Sequence, residues 1–389
     1  MRIMIVQWAG DFREAWHRLQ ESGTETYYGH AYILDQLESL RRQYGEVAIM
    51  CCLSSEKYQE VLPNGLTVIG AKAHPRRDAE EIRRLMAEWD PTHLIVLGPM
   101  PAIIRWGLSS GRRMMCQFAD SFEINPILRL LRYGRLARLL NDPRIEWVSN
   151  HGVNACRSLI RIGVDPAKVL AWDWPYQRRP DQTPARATVP AGEPSLFYVG
   201  TIQPNKGVGD VIGAVAALKR RGQFVRLRIA GGGQVDRFRA MAEKAGVADQ
   251  VEFLGVILNT EVFALMKQST AVVVPSRHAY PEGLPLTIYE ALCARAPIIA
   301  SDHPMFAGHL VDGETALVFR AGDATALAAK VEALLADPVL YARLSERSQQ
   351  AWERMQNPLK WGDILHRWLA GDPEDRRWLA DHSVAAEQT

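Results

Sequence analysis

Runs of consecutive apolar residues alternate along this chain with stretches in which apolar positions recur at helical spacing. The runs at 3–6, 47–53, 66–69, 93–97 and 113–118 read as strands buried on both faces. Between them, 30–43 carries Ile33, Leu34, Leu37 and Leu40 on one helical face, and 78–88 repeats the pattern until Asp90-Pro91 stops it. Residues 7–28 show no such period and read as a long polar loop. Strands alternating with helices predict an open parallel sheet covered on both faces, here a first domain over 1–171.

Residues 172–194 break the pattern. Trp172-Asp173-Trp174-Pro175 leads into a stretch with Pro180, Pro184, Pro190 and Pro194 and no period, which reads as a linker. The alternation then restarts. Strands are expected at 195–199, 225–230, 251–254, 271–274, 298–300 and 316–319, and helices at 208–220, 235–244, 260–267, 286–294, 325–335 and 338–350. This second domain spans 195–350. Its first three strands end at Gly200, Gly231 and Gly255, which would let a ligand approach the backbone at the carboxyl edge of the sheet. Ordinary turn glycines would look the same. The tail, 351–389, holds Trp352, Trp361, Trp368 and Trp378, too apolar for a free end, and is expected to be helical and to pack back on the first domain. The fold class is α/β: two doubly wound Rossmann-like domains facing across a cleft, where ligands bind by default.

Composition narrows the function classes. A chain of 389 residues with 47% hydrophobic and 23% charged residues suits two ordinary globular domains. A net charge of +2 gives no global attraction to nucleic acid. Cys51, Cys52, Cys116, Cys156 and Cys293 are scattered in apolar surroundings and read as buried thiols in a reducing compartment. No metal or cofactor is expected from their spacing. The N-terminal apolar run is too short for a signal peptide, and no window reaches the ~18 apolar residues of a membrane span, so the cytoplasm is expected.

Two carboxylates punctuate the stretch after the 271–274 run. Pro275-Ser276-Arg277 opens a Pro/Gly-rich loop holding Glu282, and the helix that follows carries Glu290 one turn in. A helix start at the carboxyl edge of a parallel sheet presents unpaired N–H groups and favours anions. An acid on either side could hold sugar hydroxyls, or could simply complement the helix dipole and face solvent. Lys206-Gly207 places a cation at another helix start, where phosphate is favoured, although a solvated lysine reads the same way. In 125–140, Arg129, Arg132, Arg135 and Arg138 alternate with leucines. This predicts either a surface helix with its leucines in the core or a basic face for peripheral contact with an anionic membrane. Gly134 weakens that helix by about 1 kcal/mol.

Taken together, about 195–335 resembles the donor domain of family 4 retaining glycosyltransferases, which have the GT-B fold. The resemblance rests on the glycine-terminated strand before Lys206-Gly207, the Gly231–Gly233 turn, Phe253-Leu254-Gly255 and Pro275-Ser276. It rests also on Glu282 and Glu290 with seven residues between, on Ala296-Pro297-Ile298-Ile299-Ala300-Ser301, and on Asp312-Gly313. The first domain matches more loosely, with Tyr28-Gly29 in place of a glycine pair. The resemblance implies that Glu290 holds the ribose of a nucleotide and Glu282 faces the donor sugar. Lys206, the turn Gly200-Thr201 and the N–H groups of Gly283 and Leu284 would meet the diphosphate. Gly255 and Val256 would lie along the base, and Gly29 would let the first-domain loop approach the phosphates. It further implies metal-independent, retaining transfer from a UDP- or GDP-sugar to a small-molecule, glycan or lipid-linked acceptor, the last at the inner membrane surface. Departures matter. Thr201 stands where the family has an arginine, with Arg277 the nearest replacement. The loop after 114–118 lacks the family's histidine, and Asp120 is its substitute as a base, or else a helix N-cap. After the Glu290 helix the chain reads Cys293-Ala294-Arg295 in place of alanine-cysteine-glycine. A nucleotide-sugar epimerase of the same fold and a non-catalytic nucleotide-sugar-binding protein are the alternatives.

Overall fold

The apolar runs become the central strands of two parallel sheets. A computed structural model describes residues 1–122, 126–176 and 178–386, the side chains of 126–132 excepted. The chain divides into two units, one formed by Met1–Pro175 together with the segment from Asn357 on, the other by Tyr176–Gln356.

Unit 1 holds strands β1 (Arg2–Ala9), β2 (Glu46–Leu53), β3 (Tyr58–Val61), β4 (Thr67–Gly70), β5 (His93–Leu97), β6 (Arg113–Phe118), β7 (Ile145–His151) and β8 (Val169–Trp172). Their order is β3-β4-β2-β1-β5-β6-β7-β8, and β3 is antiparallel to β4. Its helices are α1 (Phe12–Ser22), α2 (His30–Tyr44), α3 (Ala79–Trp89), α4 (Pro101–Ser109), α5 (Pro126–Leu140) and α6 (Val153–Arg161). Central strands are buried on both faces, as at Leu94, Ile95 and Val96, each 0% exposed. Each such side chain contributes about 1.5–3 kcal/mol.

Unit 2 holds β9 (Ser195–Val199), β10 (Arg226–Ala230), β11 (Val251–Gly255), β12 (Ala271–Val274), β13 (Ile298–Ser301) and β14 (Leu317–Phe319), in the order β11-β10-β9-β12-β13-β14 and parallel throughout. Its helices are α7 (Val208–Arg220), α8 (Val235–Lys244), α9 (Asn259–Gln268), α10 (Leu286–Cys293), α11 (Ala324–Ala336), α12 (Pro338–Glu346) and α13 (Ser348–Met355). The chain then returns to unit 1 as α14 (Trp361–Ala370) and α15 (Pro373–Asp381). Trp361 and Trp368 are buried there, Gly362 N donates to Tyr32 Oη and Arg113 donates to the Trp368 carbonyl. Two Rossmann-like units of this kind are the GT-B class.

Three expectations need correcting. The supposed loop 7–28 contains α1. Asp11 caps it by accepting from Glu14 N at 3.0 Å, and Gly23, with φ 65°, ends it. Of its eleven residues Phe12 and Ala15 are the buried ones, too few to show a period. The helix expected over 338–350 is broken at Arg347, between α12 and α13. Arg295 donates to the Glu346 carbonyl and to Ser348 Oγ, while Ser348 Oγ donates to the Ser345 carbonyl, so the break is satisfied from outside the helix. The segment 172–194 is not a free linker. Trp172 and Trp174 are buried in unit 1. Beyond Pro175 the segment lies on unit 2, where Arg295 donates to the carbonyls of Pro180 and Thr183 and Arg186 to those of Met266, Ser269 and Ala294. In α5, Arg135 and Arg138 are exposed while Leu136, Ala137 and Leu140 are buried. The side chains of Arg129 and Arg132 lie outside the described residues. No helix among the described residues is long and apolar enough to cross a membrane.

Two histidines make unit 1 acid-sensitive. Burial, with Arg18 nearby, pushes His30 down to about 4, and burial beside Arg113 does the same to His93. The folded state prefers both rings neutral, so the unfolded chain takes up protons first as pH falls below its value of about 6.5. Stability is therefore lost between about pH 6.5 and about pH 4 and levels off below, by roughly 2 kcal/mol for each ring. Urea midpoints of the wild type and of His93→Gln across that window check this. The variant should lose less, and equal slopes would refute the assignment.

Candidate functional site

In unit 2 the strand order turns at β9 and β12. From β9 the chain proceeds outward to β10 and β11, and from β12 it proceeds the other way to β13 and β14. β9 and β12 are neighbours, yet the loops leaving their carboxyl ends diverge. That switch point is where open α/β sheets bind ligands. Topology thus brings together the two stretches read as chemical, 200–207 and 275–285.

The loops are pressed against each other. Arg277 N donates to the Asn205 carbonyl at 2.9 Å. Gly207 opens α7 with φ 74°, and a Cβ there would lie 2.0 Å from the Pro275 carbonyl oxygen. Only glycine suits that position. The packing sets Lys206 Nζ 2.6 Å from Glu282 Oε1 and 4.3 Å above the Tyr280 ring. Ser276 Oγ donates to the same carboxylate oxygen at 2.5 Å. Glu282 is 5% exposed, and among the described residues its Oε2 accepts no hydrogen bond. The loop is braced from β13, where Ser301 Oγ donates to the Ser276 carbonyl. His303 braces it as well. Its Nδ1 accepts from Met305 N, which leaves Nε2 to donate to the Tyr280 carbonyl at 3.1 Å, and burial lowers its pKa.

Beyond Glu282 the chain turns into α10. Among the described residues the N–H groups of Gly283 and Leu284 find no acceptor, although both residues are buried. Unpaired donors ahead of a helix start are what an anion would satisfy. One turn into α10, Glu290 Oε1 accepts from Asn259 Nδ2, and Arg178 Nη1 lies 3.8 Å away. Gly255, with φ 71°, and the 67% exposed Val256 form the edge that leads into Asn259. Gly200 ends β9, and the Thr201 carbonyl accepts from Tyr198 Oη while its side chain is exposed. At the next edge Gly231 comes so close to Gly200 that a Cβ would lie 2.0 Å from its carbonyl oxygen.

Arg277 does not join this group. Its guanidinium is bidentate on Asp210, with Nε donating at 2.9 Å and Nη2 at 2.5 Å. The pair draws its charge to the first turn of α7, where Asp210 is 5% exposed. Lys206 is thus the cation paired with Glu282, while Arg277 is paired with Asp210. Asp120 and Gly29 belong to unit 1. Asp120 follows β6 at the carboxyl edge, its N–H on Asn150 Oδ1 and its carbonyl on Asn150 Nδ2. Gly29 caps α2 with φ 108° and lies against the Trp174 ring. The neighbouring strand β7 does end in a histidine, but His151 is stacked on Trp172 and hydrogen-bonded to the buried Asp173. Sequence reasoning missed Arg178, Asn259 and His303, and had Ser276 only as part of a motif, without its bond to Glu282. Their types and spacing carry no local signal, because each matters through a partner far along the chain. Among the described residues no three His, Cys, Asp or Glu side chains gather as a metal-binding group.

Comparison with known proteins places this site in context. Residues 181–351 match the family model described as glycosyl transferases group 1. Over 208 residues, 53% of this chain and 46% of the relative, the sequence is 32% identical to a glycogen synthase of Mycobacterium tuberculosis. The chain therefore spans about half the length of that relative. In three dimensions it resembles a sucrose-phosphate synthase from Thermosynechococcus elongatus, with TM-score 0.69 and 16% identity, covering 96% of this chain and 100% of that one. It also resembles HepE from Anabaena, solved with UDP-glucose, with TM-score 0.66 and 13% identity over 95% and 98%. At such identities the likeness establishes the fold.

Proposed function

We propose that the protein is a family 4 retaining glycosyltransferase that moves a sugar from a UDP- or GDP-sugar to an acceptor hydroxyl. The observation that carries this reading is the Lys206–Glu282 pair at the β9/β12 switch point, followed in the chain by Gly283 and Leu284, whose N–H groups find no acceptor among the described residues. The group 1 match over this unit supports it.

In the reaction the bond from the anomeric carbon to the diphosphate breaks and the electron pair leaves with the phosphate oxygen. Lys206 and the two N–H groups oppose that developing charge in a partly desolvated site. Glu282, through Oε2, accepts a hydroxyl of the donor sugar and orients it. Glu290 takes the ribose, and Gly255 and Val256 form the ledge for the base. The acceptor oxygen enters on the face the leaving group vacates, which retains configuration. No protein nucleophile is assigned, and Asp120 is the base for the acceptor proton. Lys206 and the two N–H donors do the work a metal would do. The acceptor is a small molecule, a glycan or a lipid-linked hydroxyl in the cytoplasm, and residues 125–140 provide peripheral membrane contact for the last.

A thermal-shift series with UDP and GDP, followed by turnover against acceptors in solution and on anionic vesicles, tests the reading. UDP or GDP should raise the melting temperature, with product of retained configuration. No shift with either nucleotide would sink it. One observation favours a second reading, a non-catalytic nucleotide-sugar-binding protein: Arg277 is tied to Asp210, so the site has one cation fewer than the family pattern. Donor binding without turnover on any acceptor, unchanged by Glu282→Ala, would decide for it. Interconversion of the donor sugar without acceptor would instead identify an epimerase.

A further inference from the structure

Glu290 is held by a relay that starts outside the sheet. Phe263, on α9, carries the Arg178 guanidinium 4.6 Å over its ring. Cys293 Sγ on the Arg178 carbonyl anchors that backbone to α10. Arg178 Nη1 donates to Asn259 Oδ1 at 3.0 Å, and Asn259 Nδ2 donates to Glu290 Oε1 at 2.5 Å. Asn259 is 7% exposed and the Glu290 side chain 12%.

An amide can present either end to a partner. A guanidinium only donates, so it claims the amide oxygen and turns the NH2 group toward the carboxylate. Without Arg178 the amide can rotate and turn its oxygen toward the carboxylate, and the Nδ2 donor to Glu290 Oε1 is lost. We propose that Arg178 and Asn259 are positioning residues that orient the Glu290 carboxylate toward the ribose hydroxyls and so set the preference for ribonucleotides over deoxynucleotides. This rests on the reading of unit 2 as a nucleoside diphosphate site.

The test is titration calorimetry of UDP, GDP and their 2′,3′-dideoxy forms against the wild type, Asn259→Ala, Arg178→Ala, Arg178→Lys and Glu290→Gln, with folding verified by melting curves. The wild type should favour the ribonucleotide by roughly tenfold or more, the effect of one or two well-placed hydrogen bonds. Asn259→Ala and Arg178→Ala should collapse that preference to about the level of Glu290→Gln, leaving dideoxy affinity within roughly twofold. Arg178→Lys should not restore it, because lysine keeps the charge but loses the planar fork. Equal losses for ribo and dideoxy forms would mean a merely structural role and overturn the inference. So would a preference that survives in both variants while Glu290→Gln abolishes it. If the wild type binds no nucleoside diphosphate, the functional reading fails and the inference with it. If the wild type binds but shows no ribose preference, the inference alone fails.

Discussion

If the proposed sugar transfer is the activity, Lys206→Ala is expected to lower it by roughly 10²–10³-fold, the usual consequence of removing one donor aimed at developing charge. The variant removes the side chain that lies 2.6 Å from Glu282 Oε1. It therefore has a second consequence, which separates this lysine from an ordinary surface cation. The Glu282 side chain is 7% exposed, and without Lys206 it keeps Ser276 Oγ as its donor. Leaving one partner of a buried pair uncompensated costs several kcal/mol; here the Lys206 side chain is 16% exposed and water can enter, so about 2–3 kcal/mol is expected. Adding Glu282→Gln to Lys206→Ala should recover most of that stability and none of the activity. Urea unfolding and initial rates on the single and double variants check both halves. A Lys206→Ala protein that turns over at the wild-type rate would remove the lysine from the mechanism.

Gly207→Ala should be as damaging by another route. The new Cβ would lie 2.0 Å from the Pro275 oxygen and 2.8 Å from its carbonyl carbon, at φ 74°. A left-handed alanine alone costs about 1 kcal/mol, and the clash is with backbone that has little room to yield. About 3 kcal/mol or more is expected. The relaxation that remains would move Pro275-Ser276 away from Lys206, so stabilisation by nucleoside diphosphate should disappear as well. Gly222 is the control. It has φ 78° but open space around its Cβ position, and it lies at the far end of α7. Gly222→Ala should cost about 1 kcal/mol and leave nucleotide binding alone. Equal melting points for the two variants would show that the two loops are not packed as described.

Much of the candidate site is legible before folding, but only as separate pieces. Lys206 and Glu282 each stand beside a helix start, where a shortage of acceptors is a local property of the backbone. Their contact is not legible, because 76 residues separate them and only the adjacency of β9 and β12 closes that distance. Arg277 shows the opposite case. By sequence it is the nearest replacement for the missing arginine, yet Asp210, 67 residues earlier, takes its charge. The relay to Glu290 draws on three separate segments, and one of them, around Arg178, reads as a linker with no period.

The chain alone was sufficient for the two Rossmann-like units and most of their parallel strands, though not for β3, β7 or β8. Strands buried on both faces write themselves as continuous apolar runs, and helix spacing repeats within a single element. Tertiary structure decided what such periods cannot encode. It placed α1, whose buried face is two residues wide, and the break at Arg347, which is held open by an arginine from the loop after α10. It also decided the partner of every charged group in the site. Pairing depends on strand order and on long-range packing, and a charged side chain reads the same in the sequence whichever carboxylate it finally meets.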